Sequence, residues 1–173
     1  MDRTIFIPDP EDATLPAYTE WGYNSFGAKY ERDYFLASDR IVPCKILYNN
    51  NQLQFSLQGI VSGYKNMTLS FIFPFKQISE YKDLVQLNNT VIDLSTNGCT
   101  VKISEDGNET LLNIVGGQLY FKRAQLLSID DEVNRVILSG MFELRFLQND
   151  FPTAISDGRF DVGITKNVFY TYQ

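Results

Sequence analysis

The sequence contains no histidine. That removes the commonest general base and the commonest metal ligand, and it excludes Ser-His-Asp and Cys-His catalysis outright. Basic residues are few: 15 Lys and Arg stand against 21 Asp and Glu, a net charge of −6, and they form no stripe. A nucleic-acid partner needs cations to neutralise phosphates, so that class is disfavoured, as is a polybasic contact with a membrane surface. No run approaches the roughly 18 apolar residues of a membrane span. Met1 is followed at once by Asp2 and Arg3, with no apolar leader, which fits a cytosolic origin or a mature form trimmed of its leader. Cysteine is limited to Cys44 and Cys99. They could close a disulfide in an oxidising compartment, worth roughly 2–4 kcal/mol, or be two buried thiols acting as small hydrophobes. No phosphate loop, nucleophile elbow or metal-ligand cluster is present, and no cofactor is implied.

What remains is a chain suited to β structure. Its 173 residues are enough for one domain with a sizeable core. Phe (13) and Tyr (10) are abundant, and aromatic residues fit a half-buried pleated surface. Residues 1–20 read differently. Pro8, Asp9, Pro10, Glu11, Asp12 and Pro16 make a Pro/acidic stretch without apolar period, expected to be a flexible tether. Ile5, Phe6 and Ile7 interrupt it and could dock as an edge strand.

Residues 21–173 are expected to form one domain. Strands are predicted at 25–30 and 34–37, flanking a tip at Glu31-Arg32-Asp33. Leu53, Phe55, Leu57, Gly59 and Val61 alternate with Gln54, Ser56 and Gln58, the period of two of a strand with one face buried. Asn49-Asn50-Asn51 before it is a turn, since Asn tolerates left-handed backbone. Met67, Leu69, Phe71 and Phe73 share the face of the next strand, which Pro74 stops. Residues 76–86 are the single helix candidate. Short strands follow at 91–94 and 99–104, separated by Ser95-Thr96-Asn97-Gly98. Glu105 to Asn108 turn the chain into 109–115, and Gly116-Gly117 is expected to break it. Two long strands, 118–129 and 135–148, are joined by residues 130–134, and Asp157-Gly158 is expected to turn the chain into Phe160, Val162 and Ile164. Residues 168–172 supply a last edge strand. About ten strands at this spacing predict an all-β, antiparallel sandwich or flattened barrel with at most one short helix.

Both ends carry a family pattern. Leu15-Pro16-Ala17 followed by Asn24-Ser25-Phe26-Gly27 and a hairpin, together with Gly140 to Leu144 and Asp157-Gly158-Arg159-Phe160-Asp161, resembles a family of Bacteroidota lipoproteins of unknown function. The resemblance runs in order of elements over residues 14–165, and the two short motifs are its specific part. It implies export, a lipid anchor on a cysteine upstream of this sequence, an all-β fold and residence in the cell envelope, at the periplasm or the outer-membrane surface. It implies no activity. Where the family often has Cys after Phe-Gly, this chain has Ala28, so a disulfide at that position is absent.

Four groups are candidate sites. Asp130, Asp131 and Glu132 could hold Ca²⁺, but their spacing matches no Ca²⁺ loop and a solvated tip accounts for them. Arg159 and Asp161 share a strand face and could pair with Glu143 or Arg145 as a cross-strand charge ladder. A hydrolase would need two carboxyls roughly 5–10 Å apart in a cleft, and no spacing singles out a pair. Tyr18, Trp21, Tyr23, Tyr30 and Tyr34 crowd the first hairpin, with Phe35 beside them. Exposed, they would stack on sugar rings; buried, they would cover one end of the core. The expected function is a non-enzymatic, envelope-tethered binding domain for a glycan or an envelope protein. The alternatives are a structural accessory subunit of an envelope complex and, behind it, a carboxylate-dependent hydrolase.

Overall fold

Alternation of apolar and polar residues becomes twelve strands in the computed structural model, which describes residues 4–171. They are β1 (Ser25–Tyr30), β2 (Asp33–Leu36), β3 (Cys44–Asn49), β4 (Gln52–Val61), β5 (Lys65–Pro74), β6 (Thr90–Asp93), β7 (Thr100–Glu105), β8 (Asn108–Leu111), β9 (Asn113–Ile129), β10 (Glu132–Gln148), β11 (Phe151–Ile164) and β12 (Phe169–Thr171). A 3-10 segment at Tyr81–Leu87 fills the place of the helix candidate, and a single 3-10 turn covers Lys166–Val168. The fold is all-β, as expected.

The strands form one path, β6-β9-β10-β11-β1-β2-β4-β5-β7-β8, with β3 beside β2 on the same edge of β4, at its Gln52 to Leu57 stretch, and β12 parallel to β3. The other pairings are antiparallel, and the path does not close into a barrel. β2 meets β4 through only Phe35↔Val61 and Leu36↔Ile60, and there the sheet folds back on itself. Its two halves face each other through aromatic rings. Phe55 on β4 lies 5.2 Å from Phe121 on β9 and 5.0 Å from Phe160 on β11. Phe71 on β5 lies 5.5 Å from Phe142 on β10. Edge-on and tilted rings at these separations add to the stabilisation from burial.

Two expected breaks are instead features inside strands. Asp157-Gly158 lies within β11, where the register against β10 slips between Phe142 and Leu144 and that against β1 between Gly27 and Lys29. It is a β-bulge with Asp157 at φ 53°; the true turn is Asn149-Asp150, both residues at positive φ. A bulge and a tight turn need the same left-handed backbone, so Asp-Gly serves either. Likewise β9 runs through Gly116-Gly117, and Gly117 at φ 139° lets the strand pass the carbonyl of Glu143, which a Cβ would meet at 2.4 Å. Cys44 is buried in the core and Cys99 partly buried, and both thiols are free.

The Pro/acidic stretch lies against the sheet. Its backbone pairs with itself, Asp9 N–H to Leu15 O and Ala17 N–H to Ile7 O, and Ile5 N–H bonds Tyr23 O. The resulting strap, residues 4–23, crosses the outer face of β10, β11 and β1. Leu15 is buried, and Pro16 packs over Gly27. Polar anchors on β11 hold it down, which composition alone does not reveal. Residues 1–3 of the expected tether, and Tyr172 of the last expected strand, lie outside the described residues.

Candidate functional site

The strap is fastened at two points, and these shape the clefts beside it. Asp161 on β11 is 1% exposed. Its carboxylate accepts hydrogen bonds from the backbone N–H groups of Trp21 (3.1 Å), Gly22 (2.7 Å) and Tyr23 (3.1 Å), and from the hydroxyls of Thr19 (2.6 Å) and Ser139 (3.1 Å). Successive N–H groups turned to one carboxylate form an anion-binding concavity, and a buried charge is tolerable only when satisfied in this way. Arg159, two residues earlier on the same face, donates Nη1–H to Asp9 at 2.7 Å and to the carbonyl of Pro16 at 3.1 Å. The expected ladder from Arg159 and Asp161 to Glu143 or Arg145 is therefore replaced: both side chains turn to the strap, Asp161 to its backbone N–H groups and Arg159 to the Asp9 carboxylate and the Pro16 carbonyl.

Between strap and sheet runs a groove in two parts that share Tyr18. The first part, about 510 Å³, is lined by Tyr18, Glu20 and Trp21 from the strap and by Lys122, Arg123 and Leu127 from β9, among others. The second, about 380 Å³, lies between Asp9 and Tyr18 on one side and Gln118, Glu143 and Arg159 on the other. Trp21 is 72% exposed. Tyr18 is half-buried, and its hydroxyl donates to Glu20 Oε2 at 2.7 Å. Burial first, and then the Glu20 carboxylate, pushes the Tyr18 phenol far above its ordinary pKa of 10.0, so it stays a neutral donor. Gln125 donates Nε2–H to the carbonyl of Glu20 at 2.8 Å, fixing the strap on β9.

Of the five aromatic candidates the structure brings two, Tyr18 and Trp21, to one cleft. Tyr23 is half-buried and belongs to the Asp161 anchor through its backbone. Tyr30 packs edge-on against Phe146 at 6.4 Å, and Tyr34 donates its hydroxyl to Asp12 at 2.9 Å; neither lines the groove. Phe35 is core. Sequence reading missed Lys122, Arg123 and Gln125, which meet the strap only through the fold. The signal was present in part, since two cations follow Phe121 and interrupt the alternation of β9. Asp130 and Asp131 are the exposed central residues of the β9–β10 turn, both at positive φ. Among the described residues no three acidic or thiol side chains converge as a metal site would require. Comparison with family models, curated proteins and solved structures finds no match to this chain.

Proposed function

We propose that the chain is a non-enzymatic glycan-binding domain of the cell envelope, and that the groove beside the strap takes an extended sugar chain. The observation that carries this is Trp21. A Trp exposed over nearly three-quarters of its surface next to a second aromatic ring and a rim of amide, carboxylate and guanidinium groups suits a sugar, whose apolar ring face stacks while its hydroxyls bond at the edges. The envelope location rests on the family resemblance alone. Within the groove, the Asp9 carboxyl is held below its ordinary value, which does not suit it to serve as a general acid.

The test is a thermal-shift and affinity-electrophoresis panel of neutral polysaccharides (xylan, mannan, β-glucan, starch) and peptidoglycan fragments with wild type and Trp21→Ala. Saturation at about a hundred times Kd stabilises by about 2.7 kcal/mol. Binding by wild type that Trp21→Ala abolishes, at unchanged stability, supports the reading; binding untouched by Trp21→Ala removes the groove from it. The accessory-subunit reading is favoured by one feature, the exposed Leu126, Leu127 and Ile129 near the β9–β10 turn, which a protein partner would cover.

A further inference from the structure

The first part of the groove carries more positive than negative side chains on a protein of net charge −6: Lys122 and Arg123 face Glu20. Arg123 is matched, with Nη1 3.4 Å from Glu20 Oε1, and Glu20 also accepts the Tyr18 hydroxyl. Lys122 is not matched. Among the described residues no carboxylate lies within 4.0 Å of its ammonium, which stands over the Tyr18 ring at 5.0 Å from the centroid. A ring face satisfies an ammonium only in part, and its three N–H donors have no other partner among the described residues.

The backbone places this cation deliberately. In a regular strand neighbours alternate faces, so Lys122 and Arg123 would point to opposite sides of β9. Yet Phe121 and Ala124 are both buried, with Lys122 and Arg123 both exposed between them. The register against β10 shows why: Gly140 pairs with Phe121 and Ser139 with Arg123, leaving Lys122 as the extra residue of a bulge. Bulges re-aim side chains, and this one adds a second cation to the cleft that already holds Trp21 and Tyr18.

We infer that the sugar unit stacked on Trp21 carries an anionic substituent, a carboxylate or a sulfate ester, and that Lys122 receives it. This rests on the glycan-binding reading and names the ligand class of that site. The ammonium covers the face of the Tyr18 ring in the cleft that Trp21 also lines, so a ring-borne anion at the edge of a sugar stacked on Trp21 meets it without leaving the stack. Arg123, already held by Glu20, shapes the cleft wall.

The experiment uses two probe pairs that differ in charge: polygalacturonate against its methyl ester, and dextran sulfate against dextran. Each is run in affinity electrophoresis at one ionic strength with wild type, Lys122→Gln, Trp21→Ala and Lys76→Gln, the last an exposed lysine away from the groove. The expected result is that the anionic member of one pair binds about ten-fold tighter than its neutral partner, the scale of one charge-assisted hydrogen bond. Lys122→Gln then removes that difference, Lys76→Gln keeps it, and Trp21→Ala removes binding of both members. Which pair responds tells carboxylate from sulfate. Equal binding of neutral and anionic members, or anionic binding untouched by Lys122→Gln, overturns the inference and leaves the glycan reading standing. Retention of none of the four probes also overturns it, and the neutral panel then decides the broader reading on its own.

Discussion

The carboxylate of Asp161 accepts the backbone N–H of Gly22 at 2.7 Å across 139 positions of sequence. That bond and its three companions from Thr19, Trp21 and Tyr23 turn a Pro/acidic segment with little apolar area into part of the folded domain. A segment of this composition cannot offset its ordering entropy by burial; here a buried anion and an Arg159–Asp9 pair supply the difference. Since Trp21 and Gly22 are both gripped through their backbone, the exposed indole is presented by a rigid support, and the groove depends on the anchor.

Asp161→Ala should therefore destabilise the protein strongly. It leaves three backbone N–H groups and two hydroxyls without their acceptor, and with unsatisfied buried donors costing about 1–3 kcal/mol each a total on the scale of about 3–5 kcal/mol is expected. At roughly 2–4 °C per kcal/mol for a chain of this size, the melting midpoint should fall by roughly 6–20 °C. Limited proteolysis should cut within residues 4–20 first. Strap cleavage no faster than in wild type would show that Asp161 does not fasten it.

Acid should loosen the strap before the sheet. The Glu11 N–H first, and then the Arg159 guanidinium, hold the Asp9 carboxyl below its ordinary value of 3.8. The Tyr34 hydroxyl is the main cause of the same effect at Asp12, with Lys29 contributing. A depressed carboxyl contributes stability that is present above the unfolded pKa and lost as pH falls through the folded one, so the window lies below about pH 4. Hydrogen exchange at the Ala17 amide, which is bonded to Ile7 O, should lose protection in that window, after correction for intrinsic rates, while the β10 amides keep theirs. In Arg159→Gln the pH dependence should shrink, since one cause of the Asp9 depression is gone.

Much of the sandwich was legible because one buried face writes a period of two. Leu53, Phe55 and Leu57, or Val136, Leu138 and Phe142, declare it directly. β3 is harder to read: Cys44, Ile46 and Tyr48 point inward, but Leu47 on the outer face blurs the alternation. The bulges at Asp157 and Lys122 and the passage through Gly116-Gly117 are set by pairing with distant strands, so local chemistry could only register them as interruptions. The same limit applied to the site. Tyr18 and Trp21 could be listed among aromatics, but their separation from Tyr30 and Tyr34 follows from the strap, and the strap follows from residues some 140 positions away.

Gly140 is an instance where a small residue lets neighbouring strands of one sheet, β9, β10 and β11, keep their register. A Cβ built there would lie 1.9 Å from the carbonyl oxygen of Tyr120 on β9 and 2.7 Å from the Phe160 ring. One contact is backbone, and the other belongs to the aromatic centre of the core, so neither can yield cheaply. Gly140→Ala should cost at least the 1–3 kcal/mol or so of ordinary overpacking, seen as a lowered denaturant midpoint at unchanged m-value. A variant as stable as wild type would mean that β9 can shift without loss.

The β9–β10 turn invites the opposite experiment. Asp130 and Asp131 both sit at positive φ, 53° and 65°, the backbone of a type I′ hairpin turn, for which Asn-Gly is the favoured pair. Two adjacent carboxylates there repel each other beside Glu132, and neither is a good left-handed residue compared with glycine. The double substitution Asp130→Asn, Asp131→Gly should stabilise the protein by about 0.5–1 kcal/mol, raising the melting midpoint by roughly 1–4 °C. It also bears on a Ca²⁺ role for these acids. If Ca²⁺ raises the midpoint of wild type and not of the double variant, the turn binds the ion; if neither responds, the acids are a solvated tip and the gain in stability is free of functional cost.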